Sequence, residues 1–123
     1  MNYFGVVIKI KKIKLTIFAP DPEKRLSKGL DYTIELDDAG TIVNALSEID
    51  KRIYLNSDKP IFPIYKGLIY SYLQLIWDSE ENRIYEDCAV NAYGPNREFM
   101  NLQDEINTNL YPDSEITIVV HAD

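Results

Sequence analysis

Cys88 and His121 are the two side chains of this 123-residue chain that could make a nucleophile and its base, since the chain holds one cysteine and one histidine. A thiolate beside an imidazole is a competent nucleophile. Both residues also have plainer readings. A lone cysteine on a strand is a small core residue, and a histidine at position 121 of 123 belongs to a fraying end. No catalytic residue is assigned. The carboxylate pairs Asp37-Asp38, Glu80-Glu81 and Glu86-Asp87 could serve a cation or acid–base chemistry. None has calcium-loop spacing, and turn and helix-flanking positions account for them as solvated surface. There is no phosphate-cradling glycine–lysine loop, no GxGxxG and no GxSxG. One cysteine excludes an intrachain disulfide and any multi-cysteine metal site, and one histidine excludes most zinc chemistry. Neither a metal nor a cofactor is expected.

The net charge is −7, from 13 basic and 20 acidic side chains. An acidic chain is poorly suited to nucleic acid, whose binding rests on neutralising phosphates. The charge is uneven. Residues 1–30 carry seven basic groups against Asp21 and Glu23, and the other 93 carry six basic and eighteen acidic groups. Lysines along a first strand blunt its edge, and the same strip could steer an acidic partner. No signal peptide and no apolar run long enough for a membrane helix is visible, so the sequence reads as cytoplasmic with no membrane contact.

Side chains of these types must be placed by a scaffold, and periodicity outlines it. Ile8 to Ala19 alternates, with Ile13, Leu15, Ile17 and Ala19 on one face. Ile8 and Ile10 fall out of step with Ile13, so either a bulge sits at Lys11-Lys12 or the paired strand begins near Lys12. Pro20-Asp21-Pro22 ends this strand. Tyr32, Ile34 and Leu36 form the inward face of a second strand. Asp38-Ala39-Gly40 turns, and Thr41 caps a helix whose buried stripe is Ile42, Ala45, Leu46, Ile49 and Ile53. Residues 61–77 fit helix or strand. Their isoleucine and aromatic content and Gly67 favour strand. Residues 78–82 form a hairpin turn with Arg83 to Tyr93 as the return, and Arg97 to Leu102 is a further short strand. Glu115 to His121 closes the chain as a strand with Ile116, Ile118 and Val120 inward. Residues 1–123 read as one domain, without repeat or linker.

Three stretches resemble one superfamily: Ile13 to Ala19, Tyr32 to Leu36 with Gly40 to Leu46, and Leu110 to Val119. They are similar to the first strand, the second strand with turn and helix start, and the last strand of β-grasp, ubiquitin-like domains. The small sulfur carriers of thiamine and molybdopterin synthesis are the nearest likeness. The resemblance implies an α+β fold in which a mixed sheet packs on one main helix and the first and last strands run parallel as neighbours. Residues 56–84 are then an inserted hairpin or extended segment. Such carriers end in Gly-Gly and are adenylated by an activating enzyme. This chain has Val119-Val120-His121-Ala122-Asp123 there, which favours a non-enzymatic, partner-binding adaptor or accessory subunit. A diverged sulfur carrier or ubiquitin-like modifier is the alternative.

By the same resemblance the exposed sheet face, with Tyr93, Thr117 and Val119, is the contact surface for a protein partner. Nine tyrosines and one tryptophan are many for this length, and six of the ten fall between Tyr54 and Tyr85. Such rings supply interface anchors or core. Strand alternation puts Tyr70 and Tyr72 on one face and Trp77 on the other with Ile69, Leu73 and Leu75. Tyr70 and Tyr72 are therefore the expected exposed, partner-facing rings, and Trp77 the buried one.

Overall fold

The computed structural model describes residues 9–18, 29–55, 64–65 and 68–120. Expectations for Ile8, Ala19 and His121 lie outside them. Strand β1 (Ile10–Phe18) and strand β2 (Leu30–Asp37) pair antiparallel from Ile10↔Asp37 to Ile17↔Leu30. Helix α1 (Ile42–Leu55) follows. Two short antiparallel ladders come next, β3 (Ile64–Tyr65) with β4 (Leu68–Ile69) and β5 (Trp77–Asp78) with β6 (Arg83–Ile84). Helix α2 (Tyr72–Ile76) lies between the two ladders. Strands β7 (Ala89–Tyr93) and β8 (Ser114–Val119) complete a four-stranded mixed sheet of order β2-β1-β8-β7. The architecture is α+β. β1 and β8 are central neighbours and run parallel, Ile13↔Ser114 to Phe18↔Val119. Among the described residues no helix is long and apolar enough to cross a membrane.

Alternation divides the sheet into two faces. The inner face carries Ile13, Leu15, Ile17, Ile34, Leu36, Ile116 and Ile118, all buried, and Ile42, Ala45, Leu46 and Ile49 of α1 close over it. Each such aliphatic side chain removed from water contributes about 1.5–3 kcal/mol before the entropy of ordering is charged against it. Ile53, one turn further along α1, is partly buried at the rim. Tyr72, Leu75 and Ile76 of α2 extend the same cluster.

The start of β1 resolves the phase problem of its sequence. There is no bulge in its pairing with β2. The ladder continues through Lys11 to Ile10, which places Ile10 outward, 63% exposed, and Lys11 on the core face, 4% exposed. The ammonium is satisfied there by two carbonyls, Leu110 O at 2.7 Å and Asp38 O at 3.0 Å. Burial holds the Lys11 pKa below its usual value, while Asp38 and Asp37 pull the other way. The backbone closes the same knot, since Leu110 N–H donates to Gly40 O at 3.2 Å. Glycine is required in this turn: a Cβ on Gly40 would stand 2.7 Å from Leu36 Cβ. The α1 cap also differs from expectation. Thr41 donates its N–H and its hydroxyl to Asn44 Oδ1, at 2.9 and 3.1 Å, so the helix start leans on Asn44.

Residues 61–77 required correction. The described part holds two two-residue strands and then a helix, so Tyr72 to Ile76 are not strand. Ser71 and Gln74 form a reciprocal capping box, Ser71 Oγ accepting from Gln74 N–H and Gln74 Oε1 from Ser71 N–H. Asp50 of α1 supplies the rest, its carboxylate accepting from Tyr72 N–H at 2.8 Å and Leu73 N–H at 3.1 Å. These bonds take up the donors that a helix start leaves open, and local capping overrides strand propensity. Two smaller corrections follow. The return strand after the 78–82 turn stops at Ile84, where residues 85–88 turn away to join the main sheet at β7. In place of a strand over Arg97 to Leu102 there is one isolated bridge, Tyr93↔Phe99.

Replacing Lys11 by methionine keeps the stem and removes the donor to both carbonyls. Urea unfolding should show a loss of about 1–3 kcal/mol, the cost of leaving buried acceptors unpaired. Lys14→Met, on the outer face of the same strand, should stay within about 0.5 kcal/mol. Equal losses would mean that the buried knot carries no special weight.

Candidate functional site

The sheet face turned away from α1 is its open side. Pairing registers arrange it in rows. One row runs Thr33–Lys14–Glu115–Tyr93, and Phe99 extends it through its bridge to Tyr93. The next row runs Asp31–Thr16–Thr117–Asn91, and the one beyond it has Phe18–Val119–Ala89. Residues directly opposite in a ladder share a face, so Tyr93, Thr117 and Val119 do lie together on this side. Tyr93 is 44% exposed, and Thr117 and Val119 are half-buried.

Phe99 completes the aromatic end. It is 62% exposed, and its ring meets that of Tyr93 at 5.8 Å between centroids and 60° between planes. This edge-to-face arrangement is a favourable aromatic pairing. The sequence reading did not single out Phe99 or Glu115. The signal was the turn Gly94-Pro95-Asn96-Arg97, which folds the chain back so that Phe99 falls opposite Tyr93. Arg97 takes a left-handed φ of 64° there, and Gly94 N–H donates to Glu98 O at 2.8 Å.

The middle of the face is polar and shallow. A depression of about 300 Å³ is lined by Lys14, Thr16, Asp31, Thr33, Glu115 and Thr117. Thr16 Oγ1 donates to Asp31 Oδ1 at 2.6 Å, and Lys14 Nζ stands 3.9 Å from a Glu115 oxygen with both side chains over 70% exposed. A second open groove of about 250 Å³ lies between the β2 edge and α1, among Glu35, Asp37, Asn44, Ser47 and Glu48. Neither is an enclosed cavity that would bury most of a small ligand.

The other candidates lie elsewhere. Tyr72 is 4% exposed, a correction to the exposed ring expected. Helical geometry turns Tyr72 into the core with Leu75 and Ile76, and leaves Trp77 half-buried with its indole N–H donating to Asn82 Oδ1 at 3.3 Å. Tyr70 is partly buried against the same core. Tyr70 and Tyr72 therefore belong to the α1–α2 layer and do not join the outer face. Burial pushes the Tyr72 hydroxyl up to about 12, with Tyr32 and Asp50 adding to the rise. Asp50 itself is pushed up by burial against the lowering effect of the α2 N–H groups and Ser71 that it accepts from. Cys88 is buried at 1%, its thiol directed at Leu75 O at 3.6 Å, as a core residue would be. Its expected companion His121 lies outside the described residues. Among the described residues no group of three or more histidine, cysteine or acidic side chains could hold a metal. Asp37 is engaged in its own turn, accepting from Ala39 N–H.

Comparison with family models, curated proteins and solved structures finds no match to this chain. The functional reading therefore rests on the face itself.

Two outcomes check the placement of the rings. Tyr72→Ala should cost about 3–5 kcal/mol of folding stability, through lost burial and a cavity. Trp77→Ala should cost less, because its ring already meets water, and a larger loss at Trp77 would restore the strand reading. The pH dependence follows from Tyr72. Its folded pKa, about 12, lies above the ordinary 10. Between those values the folded state holds a proton that the unfolded state has released, so the contribution is complete below pH 10 and lost as pH rises toward 12. Denaturant titrations at rising alkaline pH should therefore show the parent losing more stability than Tyr72→Phe. Parallel curves would place the hydroxyl in water.

Proposed function

We propose that this chain is a β-grasp domain that works without catalysis, as an adaptor or accessory subunit, and binds a protein partner through the outer face of its sheet. The parallel pairing of β1 with β8 at the centre of the sheet, with α1 across the inner face, supports the β-grasp reading. The observation that carries the binding reading is the exposed Tyr93–Phe99 pair at one end of that face. Two adjoining rings left in water are costly to a surface that has no use for them, and tyrosine is a favoured interface anchor. The neighbouring threonines and charges of the rows form the polar surround such an anchor needs. The open, shallow shape of the face suits a macromolecular surface better than a small substrate.

A photo-crosslinking residue at Thr117, on the outer face, should give a discrete adduct in the source cells. The same residue at Ser47, on the exposed side of α1, should not. Tyr93→Ala should abolish the adduct by weakening binding by roughly 2 kcal/mol or more, while folding stability falls by about 1 kcal/mol, the worth of the lost ring pair. Identical adduct patterns from the two positions, or an adduct indifferent to Tyr93, would remove the outer face from the binding surface.

A further inference from the structure

We propose that the aromatic end of the outer face seats an arginine-bearing loop of the partner. This inference rests on the partner-binding reading and names the chemistry of what binds. Tyr93 and Phe99 meet edge to face at 60° and both remain exposed, so ring surface is left for a third planar group. A guanidinium stacks on aromatic faces and sheds water more readily than an ammonium does. Glu115 stands directly across the ladder from Tyr93, on the same face. Its carboxylate is 73% exposed and meets Lys14 only loosely, at 3.9 Å. Such a surface pair holds little energy, and a forked guanidinium bonds a carboxylate in bidentate fashion where a lysine offers a point charge. Ring and carboxylate side by side thus match one side chain, with its plane on Tyr93 and Phe99 and its N–H groups on Glu115.

The charges supplied by the β7–β8 side of the face are mostly acidic, with Lys14 of β1 as the cation beside Glu115. Residues 89–120 carry five carboxylates, Glu98, Asp104, Glu105, Asp113 and Glu115, against Arg97 alone. At the Tyr93 end an acidic side chain would meet Glu115 with like charge, while the Lys12–Lys14 strip lies one strand away, and an apolar one would strand Glu115 without water. The backbone narrows the shape of the partner. The edge of β7 beside Tyr93 is already engaged: Met100 N–H donates to Ala92 O at 2.9 Å and Gly94 N–H to Glu98 O at 2.8 Å, and further along Gln103 Nε2 donates to Cys88 O at 2.8 Å. A strand cannot add beside Tyr93, where the returning segment already bridges β7. The partner approaches the face with side chains, from a loop or turn.

Three peptides with the same glycine–serine spacing, bearing two arginines, two glutamates or two leucines, would be titrated into isotope-labelled protein and followed by amide chemical shifts. The arginine peptide should move Tyr93, Phe99 and Glu115 first. Glu115→Gln should weaken it about fivefold and melt like the parent, and Tyr93→Ala should weaken it about tenfold while keeping the parent's amide spectrum away from the Tyr93–Phe99 end. A lysine version should bind more weakly than the arginine one. If the glutamate or leucine peptide seats on Tyr93 and Phe99 as well as the arginine peptide, the cationic assignment is overturned while the face stands as a binding surface. Shifts spread equally over all surface carboxylates would also overturn it, as unspecific attraction. So would a concentration-dependent dimer, seen by sedimentation and abolished by Tyr93→Ala, because the occupant would then be a second copy. If no peptide moves these residues and the Thr117 crosslink is absent, the inference and the partner-binding reading fall together; silence from the peptides with the crosslink retained overturns the inference alone.

Discussion

A buried ammonium holds the two ends of the sheet design together. Lys11 sits on the core face of β1, where an aliphatic side chain would be expected, and its ammonium donates to two main-chain carbonyls with Asp38 and Asp37 acting on it through space. One carbonyl belongs to the turn that launches α1 and the other to the segment that leads into β8. The same two segments are joined by Leu110 N–H to Gly40 O. A charge in this position cannot be left unsatisfied without several kilocalories of desolvation cost, so the turn and the segment must both be in place for β1 to be in place. The helix start, the first strand and the last strand are thereby set relative to one another by one side chain. The other polar staple, Asp50 of α1, does for the second helix what Lys11 does for the first: it fixes an otherwise marginal five-residue helix onto α1 by accepting from the backbone N–H groups at its start.

These constraints leave one side of the sheet committed and the other free. The inner face is filled by α1 and α2, so its residues answer to packing. The outer face answers only to pairing geometry, and there the side chains follow rows rather than a core. That division explains why rings of similar chemistry have different fates. Tyr72 is drawn into the core by the helix that carries it, whereas Tyr93 and Phe99 stay in water because nothing in the described fold covers them.

Much of this was legible in the sequence. Ile13, Leu15 and Ile17 with Ile116 and Ile118 alternate cleanly, and Ile42, Ala45, Leu46 and Ile49 keep helical spacing, so the sheet and its helix could be drawn beforehand. The parallel pairing of β1 with β8 came from resemblance and agrees with the register found. Lys11 was not legible, because a charge in a core phase reads as a break in phase. Residues 72–76 were misread for a different reason. Their apolar density speaks for strand, while the four-residue capping box from Ser71 to Gln74 speaks for helix, and the local cap prevails. The outer-face row was half legible. Tyr93 could be assigned to it, but Glu115 and Phe99 enter only through register and a returning turn, which composition does not reveal.

The position of β8 has a bearing on how the protein is made. Its register partner on β1 lies a hundred residues earlier, Ile13 against Ser114. Contacts so distant along the chain are among the slowest to form, since the entropy of closing the loop must be met before any bond rewards it. During synthesis β1, β2 and α1 leave the ribosome long before β8, so for several seconds, at the ordinary rate of about 5–20 residues per second, the central strand has an open edge. Charged side chains are the common means of blunting an exposed strand edge, and Lys12 and Lys14 stand on this one.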